Sequence, residues 1–233
     1  MSAELPHRQN AQQENIVLIN DDLSKRALVF TEQEPWEKSP ASGVWRKKLD
    51  RHGEESGRAT SIVKYEPRSS FAEHSHTDGE EFLVLEGTFS DESGDFSAGT
   101  YVRNPDGYRH APFSANGCTI FVKLCQFQKG DDERKIINTK NAEWIPGLVT
   151  GLSVLPLHTF EYENIALVRW NPGTYFQRHT HVGGEEILVL EGVFEDEYGQ
   201  YPAGTWIRNP PDSEHTPFSK EGCLIYVKTG HLK

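Results

Sequence analysis

Apolar residues along this chain occur in short runs separated by glycine, proline, asparagine and aspartate. The runs at 62–63, 81–85, 101–102 and 119–124 are rich in β-branched, aromatic and other apolar residues, a composition that favours strands. A helical period is nearly absent, and the one segment with some helical character, 34–38, is short and lies just before a proline. Many short strands at regular spacing predict an all-β sandwich or barrel. The jelly roll is the member of that class that fits about 100 residues per unit.

The same pattern occurs twice. The segment HSHTDGEEFLVLEGTF from His74 recurs as HTHVGGEEILVLEGVF from His179, an offset of 105 residues (179 − 74). The same offset carries His110 onto His215, and roughly half the positions from 62 to 123 match their partners without a gap. Compositional bias does not produce such a match, so the chain is an internal duplication.

A weaker similarity precedes each copy, because Trp36 corresponds to Trp144 at a slightly different offset. Each domain therefore begins before the strong repeat. The charged stretch 129–134 (KGDDER) lacks apolar periodicity and lies between the copies, which makes it the best linker candidate. These observations predict a disordered amino-terminal segment over 1–14, a first domain over 15–130 and a second domain over 131–233.

Each copy carries a set of potential metal ligands. Side chains alternate along a strand, so His74 and His76 would point to the same face and could chelate one ion. Glu80 follows after a turn, and His110 lies 30 residues further on, after another turn-rich stretch. The second copy repeats these spacings, and the candidate ligands of both copies are His74, His76, Glu80 and His110, then His179, His181, Glu185 and His215.

Three imidazoles and one carboxylate suit a divalent ion such as Zn²⁺, Fe²⁺, Mn²⁺, Ni²⁺ or Co²⁺, with Zn²⁺ as the first expectation, and disfavour Ca²⁺ and Mg²⁺. Two metal ions per chain are therefore expected. Each site offers two adjacent glutamates, and strand alternation allows only one of Glu80 and Glu81 to share the histidine face. Alternation alone does not say which of the two it is.

The repeated segments resemble the first motif of the cupins, in which His-x-His is followed three or four residues later by Glu and then, after six further residues, by Gly. The pairs Glu80–Gly87 and Glu185–Gly192 fit this spacing, whereas the neighbouring glutamates are one residue too close. The resemblance therefore selects Glu80 and Glu185. The stretch 98–110 resembles the second motif in the form found in ChrR-like cupins.

This resemblance implies two tandem double-stranded β-helix barrels, a bicupin, with a metal near one end of each barrel. It does not carry over the anti-sigma activity for which the family is named. In that family the sigma-binding part is a separate, helical, zinc-binding amino-terminal domain. Residues before Trp36 contain no cysteine, so direct sigma-factor binding is not expected.

Net charge and cysteine usage narrow the classes of partner. The formal net charge is −11 and no stripe of lysine and arginine is present, so neither nucleic acid nor an anionic membrane is expected as a partner. No apolar run approaches the roughly 20 residues of a membrane-spanning helix. Cys118, Cys125 and Cys223 form no paired framework, which favours a reducing, cytoplasmic location. A homodimer remains an open alternative.

Two functions are compatible with these sites. One is binding or sensing of a small molecule at the metal, and the alternative is a metal-dependent enzyme, a dioxygenase or isomerase acting on a small carbonyl or carboxylate compound. No catalytic residue can be assigned. Arg103 and Arg208 could orient a carboxylate or be structural. Tyr108-Arg109 against Ser213-Glu214 predicts two pockets of different charge if these residues line the mouths of the sites.

Overall fold

A computed structural model describes residues 17–54 and 56–232, and their regular structure is entirely β-strand. The expected disorder of 1–14 lies outside the described residues. The strands are β1 (Leu18–Ile19), β2 (Ala27–Phe30), β3 (Glu37–Lys38), β4 (Val44–His52), β5 (Arg58–Tyr65), β6 (Ser69–Ser70), β7 (His74–Ser75), β8 (Glu80–Asp91), β9 (Gly94–Ser97), β10 (Thr100–Asn104), β11 (Arg109–His110), β12 (Phe113–Ser114), β13 (Cys118–Leu124), β14 (Lys135–Asn138), β15 (Ile145–Pro146), β16 (Leu152–Phe160), β17 (Glu163–Trp170), β18 (Thr174–Tyr175), β19 (His179–His181), β20 (Glu185–Asp196), β21 (Gly199–Pro202), β22 (Thr205–Asn209), β23 (Ser213–His215), β24 (Phe218–Ser219) and β25 (Cys223–Thr229).

The strands form two similar antiparallel barrels, as the duplication predicts. The main sheet of the first barrel has the order β1-β4-β5-β13-β8-β10-β14, and that of the second has the order β15-β16-β17-β25-β20-β22-β2. In each barrel the long strand β8 or β20 extends past the main sheet to pair with short strands of the opposite wall. Each barrel encloses its own apolar core, which includes Phe82 and Phe89 in the first and Ile187 and Phe194 in the second.

The two barrels exchange edge strands. Strand β2, from the first half of the chain, pairs with β22 of the second barrel, and β14, from the second half, pairs with β10 of the first. The two pairings are equivalent, since Phe30 pairs with Thr205 and Asn138 pairs with Thr100. Neither main sheet is therefore built from one half of the sequence alone.

A third apolar core lies between the barrels. Strand alternation turns Leu83 away from Phe82 and toward the neighbouring barrel, where it shares one buried cluster with Leu188. The rings of Phe121 and Tyr226 meet edge to face in this cluster with centroids 5.2 Å apart. Burial of large side chains from both barrels makes the contact between them hydrophobic, like the interior of one domain.

Two ion pairs are buried next to this core. Lys123 Nζ lies 2.7 Å from Glu186 Oε1, and Lys228 Nζ lies 2.7 Å from Glu81 Oε1. The 105-residue repeat relates the two pairs to each other, and all four side chains are at most 3% exposed. Tyr101 also donates a hydrogen bond to Glu81 over 2.7 Å. Each barrel thus presents one buried lysine and one buried glutamate to the other.

Two segments differ from the sequence-based expectations. The segment 34–38 is not helical: it follows a turn at 31–33 and ends in β3, which pairs with β4. Lys47 lies over the Trp36 ring at 4.7 Å from its centroid. Tertiary pairing overrides the weak local helical preference. The charged stretch 129–134 joins β13 to β14, which both belong to the main sheet of the first barrel, and it is not wholly solvated. Its Asp131 is buried and accepts hydrogen bonds from Arg103 at 2.7 and 3.0 Å.

Candidate metal centres

Three histidines converge at one end of the first barrel. His74 lies on β7 directly opposite His110 on β11, and His76 follows in the loop after β7. One ligating atom from each residue lies within 4.8 Å of the others. The ring centroids of His74 lie 4.9 Å from those of both His76 and His110. A single ion could therefore be reached by all three imidazoles.

Glu80 lies beside this triad, at the start of β8. Its Oε2 is 3.5 Å from His110 Nε2 and its Oε1 is 3.9 Å from His76 Nε2. The Asn104 amide donates a hydrogen bond to Glu80 Oε2 over 3.1 Å, which holds the carboxylate in place. Glu81 points the opposite way, to the ion pair between the barrels. The structure therefore places Glu80, and not its neighbour, next to the histidines.

The second barrel has the same arrangement. His179 on β19 lies opposite His215 on β23, and the Nε2 atoms of His181 and His215 are 3.1 Å apart. Glu185 Oε2 lies 3.5 Å from His181 Nε2 and 3.6 Å from His215 Nε2. Asn209 donates a hydrogen bond to the same carboxylate over 3.0 Å. All eight predicted residues are thus brought together in two sets of four; their role as ligands remains a prediction.

Contacts to the outer ring nitrogens orient the imidazoles. The Nδ1 atoms of His74 and His179 donate to backbone carbonyls at 2.8 and 3.0 Å. His110 Nδ1 lies 3.5 Å from Asp91 Oδ2, and His215 Nδ1 lies 3.4 Å from the matching aspartate. Such contacts leave Nε2 directed inward, the arrangement in which histidine usually binds a metal.

Burial and nearby charges influence the protonation of these histidines. Burial lowers the pKa of His76 and of His181, an effect only partly offset by the neighbouring glutamates. For His110, burial also acts to lower the pKa, but the Asp91 carboxylate that faces its Nδ1 and the charge of Glu80 raise the pKa overall. A neutral imidazole is the form that binds a metal, so His76 and His181 are ready to act as ligands at neutral pH.

A small cavity of about 100 Å³ adjoins the first triad. Its wall includes His74, His76 and Glu80, and also Arg46 and Arg51, two buried arginines of β4. Sequence analysis did not single out these arginines because they lie before the strong repeat and match no motif. Their proximity to the histidines depends on how β4 folds across the barrel.

The residues expected to distinguish the two sites are paired at the surface. The Arg109 guanidinium lies 3.1 Å from Glu73, and Glu214 lies 2.9 Å from Arg178. Each pair is exposed and neutral overall, which weakens the expected difference in charge at the two mouths. Tyr108 does approach the site, with its ring centroid 5.9 Å from that of His110.

Arg103 and Arg208 lie away from both histidine sets. Both are buried between the barrels, where Arg103 binds Asp131 and Arg208 binds Asp50. Of the two interpretations left open by the sequence, orientation of a ligand or a structural role, the structural one agrees with these contacts.

The sequence of each half matches one family model. The model describes the ChrR cupin-like domain and matches residues 24–128 and again 132–233. The chain belongs to this cupin-like family. Together the two matches cover most of the chain, which agrees with a tandem cupin. Among curated proteins, none matches the sequence.

Solved structures of low sequence identity share the fold. Protein Ylba from E. coli is 16% identical, with a TM-score of 0.71 over 98% of this chain and 99% of its own. A cupin 2 conserved barrel domain protein from Leptotrichia buccalis is 9% identical, with a TM-score of 0.62 over 91% and 99%. A variant of oxalate decarboxylase from Bacillus subtilis is 15% identical, with a TM-score of 0.58 over 88% and 77%. At these identities the likeness establishes the cupin fold and not an activity.

The described part of the chain contains no helix long and apolar enough to cross a membrane.

Proposed function

We propose that this chain is a metal-dependent protein that binds or senses a small molecule at two metal centres, one in each barrel. The observation that supports it most strongly is the repeated convergence of three imidazoles and one carboxylate, in which the adjacent glutamate is directed elsewhere. The proposed ligands are His74, His76, Glu80 and His110 in the first barrel, and His179, His181, Glu185 and His215 in the second.

The chemistry of the donor set fits a divalent transition ion. Imidazole and carboxylate together accommodate Zn²⁺, Fe²⁺, Mn²⁺, Ni²⁺ and Co²⁺, with Zn²⁺ as the first expectation. Such an ion would supply a Lewis acid that can hold an anionic or carbonyl group of a ligand. Asn104 and Asn209 would keep the two carboxylates turned toward the ion, through the hydrogen bonds that they already donate.

Metal stoichiometry is the direct test of this proposal. Elemental analysis of the reconstituted wild-type chain is expected to give two metal ions. Replacing His74 and His76 by Ala should leave one ion, because the second set is separate and built from other strands. A content of one or zero in the wild-type chain would contradict the proposal.

The two adjacent glutamates provide a matched pair of variants. Glu80→Gln should weaken metal binding in the first barrel by at least 10- to 100-fold, the range seen when even an outer contact of a metal site is lost. Glu81→Gln should leave metal affinity nearly unchanged and lower stability instead, because Glu81 binds Lys228 in the other barrel. If Glu81→Gln released the metal and Glu80→Gln did not, the assignment would be reversed.

A metal-dependent enzyme is the second candidate function, favoured by the 100 Å³ cavity that adjoins the first triad. A cavity of this size next to a Lewis acid could hold a small carbonyl or carboxylate substrate. Oxygen uptake and product analysis with small diketones and hydroxy acids would distinguish the candidates. Turnover that is lost in His74→Ala would support an enzyme, and binding without turnover would support a sensor.

A further inference from the structure

An arginine from the opposite half of the chain lies near each candidate metal centre. Arg26 directly precedes β2, the strand that pairs with β22 of the second barrel. Arg134 directly precedes β14, the strand that pairs with β10 of the first barrel. The two arginines occupy equivalent positions, because both exchanged strands are four residues long and pair in the same register. Each exchange therefore brings one guanidinium group to the other barrel.

In the second barrel, Arg26 fixes the amide that holds a proposed carboxylate ligand. Arg26 Nε donates a hydrogen bond to Asn209 Oδ1 over 3.0 Å, and Asn209 Nδ2 donates to Glu185 Oε2, also over 3.0 Å. A guanidinium can only donate hydrogen bonds and a carboxylate can only accept them, so the amide between them satisfies both in one orientation alone. The contact with Arg26 therefore keeps the donor group of Asn209 turned toward Glu185.

A second path leads from Arg26 to a histidine of the same centre. Arg26 Nη2 donates to the Tyr201 hydroxyl over 2.6 Å, and that hydroxyl donates to Asp196 Oδ1 over 2.7 Å. Asp196 Oδ2 lies 3.4 Å from His215 Nδ1 and 3.6 Å from Arg26 Nη2. One guanidinium group therefore holds, through the side chains between them, two of the four proposed ligands of the second centre.

Arg134 makes the same two connections in the first barrel. Its Nε donates to Asn104 Oδ1 over 3.3 Å, and Asn104 is the amide that holds the carboxylate of the first set. Its Nη2 donates to Ser93 Oγ over 2.7 Å, and Ser93 Oγ donates to Asp91 Oδ1 over 2.6 Å. The other oxygen of Asp91 faces His110 Nδ1. Both centres thus have an arginine that acts on one glutamate and one histidine.

The hydroxyl groups of the two paths come from different positions in the repeat. Tyr201 corresponds to Phe96, which has no hydroxyl, and Ser93 in the turn before β9 provides that group in the first barrel. Inheritance of one sequence by both copies does not explain a pattern that is reached with different side chains. The agreement therefore indicates that the link between arginine and aspartate serves both centres.

Aromatic rings restrict the two guanidinium groups. The Arg26 side chain is 32% exposed, and its guanidinium carbon lies 5.3 Å from the centroid of the Tyr198 ring. Arg134 has the equivalent carbon 4.6 Å from the centroid of the Tyr108 ring. The attraction between a cation and the face of an aromatic ring limits the orientations of a side chain that is otherwise open to solvent. The donor groups therefore stay directed at the amide and the hydroxyl.

We propose that Arg26 and Arg134 are positioning residues of the two metal centres, each supplied by the half of the chain that carries the ligands of the other centre. Each centre is then complete only when the exchanged strand is paired, because the arginine that directs one glutamate and one histidine lies at the end of that strand. This inference rests on the proposed function, since it requires that both sets of four residues hold a metal.

Titration of Co²⁺ against a competing chelator, in full-length proteins with one site each, tests the proposal. His179→Ala/His181→Ala retains only the first set, and His74→Ala/His76→Ala retains only the second. Each parent protein gives the Kd of a single set, so the effect of an arginine variant can be assigned to one barrel.

The expected effects cross between the halves of the chain. Arg134→Met should raise the Kd of the first set about tenfold, the lower end of the range for lost outer contacts of a metal site, and leave the second set unchanged. Arg26→Met should raise the Kd of the second set about tenfold and leave the first unchanged. Methionine keeps an unbranched stem and removes the donors. Loss of affinity in both sets with either variant would overturn the proposal.

Two other arginines provide matched controls. Arg109 and Arg178 each directly precede a proposed histidine ligand, but each is exposed and pairs only with a surface glutamate among the contacts described for it. Arg109→Met and Arg178→Met should change the Kd of the adjacent set less than twofold. Equal losses of affinity in the controls and in the proposed positions would contradict the inference.

The visible absorption of bound Co²⁺ distinguishes positioning from anchoring of a strand. A carboxylate that is no longer directed changes the arrangement of ligands, so Arg134→Met saturated with Co²⁺ should have shifted absorption bands in the first set. Unchanged bands at saturation would show a structural role and overturn the proposal. Arg26→Lys and Arg134→Lys keep the charge, but one ammonium group does not reproduce the planar fork that holds amide and hydroxyl together. They should raise the Kd at least threefold, and lysine variants that bind Co²⁺ like their parents would refute the inference even if the methionine variants failed to fold.

Co²⁺ binding by the parent proteins separates this inference from the proposed function. Parents that bind no Co²⁺ would refute both. Parents that each bind one Co²⁺, with a Kd and absorption bands indifferent to Arg26 and Arg134, would refute only the positioning role.

Discussion

Removing the Lys228 ammonium group should destabilise the protein strongly. Lys228 Nζ lies 2.7 Å from Glu81 and 2.9 Å from Glu163, and all three side chains are at most 1% exposed. Burial lowers the pKa of Lys228, but the two carboxylates raise it overall. Lys123 lies 2.7 Å from Glu186, and burial lowers the pKa of Lys123. Lys228 is therefore the better compensated of the two buried lysines.

The pKa of Glu81 gives the magnitude. Burial acts to raise this pKa, but Lys228 and Arg103 lower it from 4.5 to about 2. A folded-state pKa below the unfolded value contributes stability above pH 4.5, here about 3 kcal/mol, which is lost as pH falls toward 2. Removing one partner of a buried pair costs about 3–5 kcal/mol, so both routes lead to the same range. Lys228→Met should lower the free energy of unfolding by about that amount at pH 7.

Urea unfolding followed by tryptophan fluorescence would measure this loss. Without Lys228, the folded-state pKa of Glu81 rises, so the difference between wild type and variant should be about 1 kcal/mol smaller at pH 4 than at pH 7. Lys220→Met is the control, because Lys220 is 69% exposed and its pairing with Glu195 should contribute less than about 1 kcal/mol. A loss below about 1 kcal/mol at pH 7, or a difference independent of pH, would refute this account of the buried pair.

Two further predictions concern backbone strain and thiol reactivity. Gly87→Ala should destabilise the first barrel by more than about 1–3 kcal/mol, because Gly87 has φ of +70° and a Cβ there would meet backbone atoms. Gly107→Ala should cost only the strain of the φ angle, because Gly107 has φ of +76° and faces open space. Equal losses of the free energy of unfolding in urea would contradict this prediction. Burial raises the pKa of the Cys118 thiol to about 11, so iodoacetamide at pH 8 should modify the half-buried Cys125 first. Mass spectrometry that showed Cys118 modified before Cys125 in the folded protein would contradict this prediction.

Sequence periodicity was sufficient to predict the barrels and the histidine sets. Side chains alternate along β8, so Glu80 and Glu81 point to opposite faces of the strand. The second copy supports the same conclusion, because β20 has the same pairing as β8. These are local relations, decided by residues only a few positions apart or by one recurring offset. For that reason the positions of His74, His76 and His110 followed from their spacing once the strands were recognised.

Relations between the barrels could not be predicted in the same way. The partner of Glu81 is Lys228, 147 residues away, and the exchange of β2 and β14 depends on how two finished sheets lie against each other. Arg46 and Arg51 precede the strong repeat and match no motif, and their approach to the histidines depends on how β4 folds across the barrel. In each case the information lies in tertiary contacts with no local signature.

The exchange of edge strands has a consequence for synthesis on the ribosome. Strand β2 emerges early, but its partner β22 is made roughly 175 residues later, since Phe30 pairs with Thr205. At about 5–20 residues per second, β2 waits about 9 to 35 s with its pairing edge open. During that time two nascent chains on one messenger could pair β2 of one with β22 of the other. The fold therefore makes interlocked dimers a natural by-product whenever translation stalls within the second barrel.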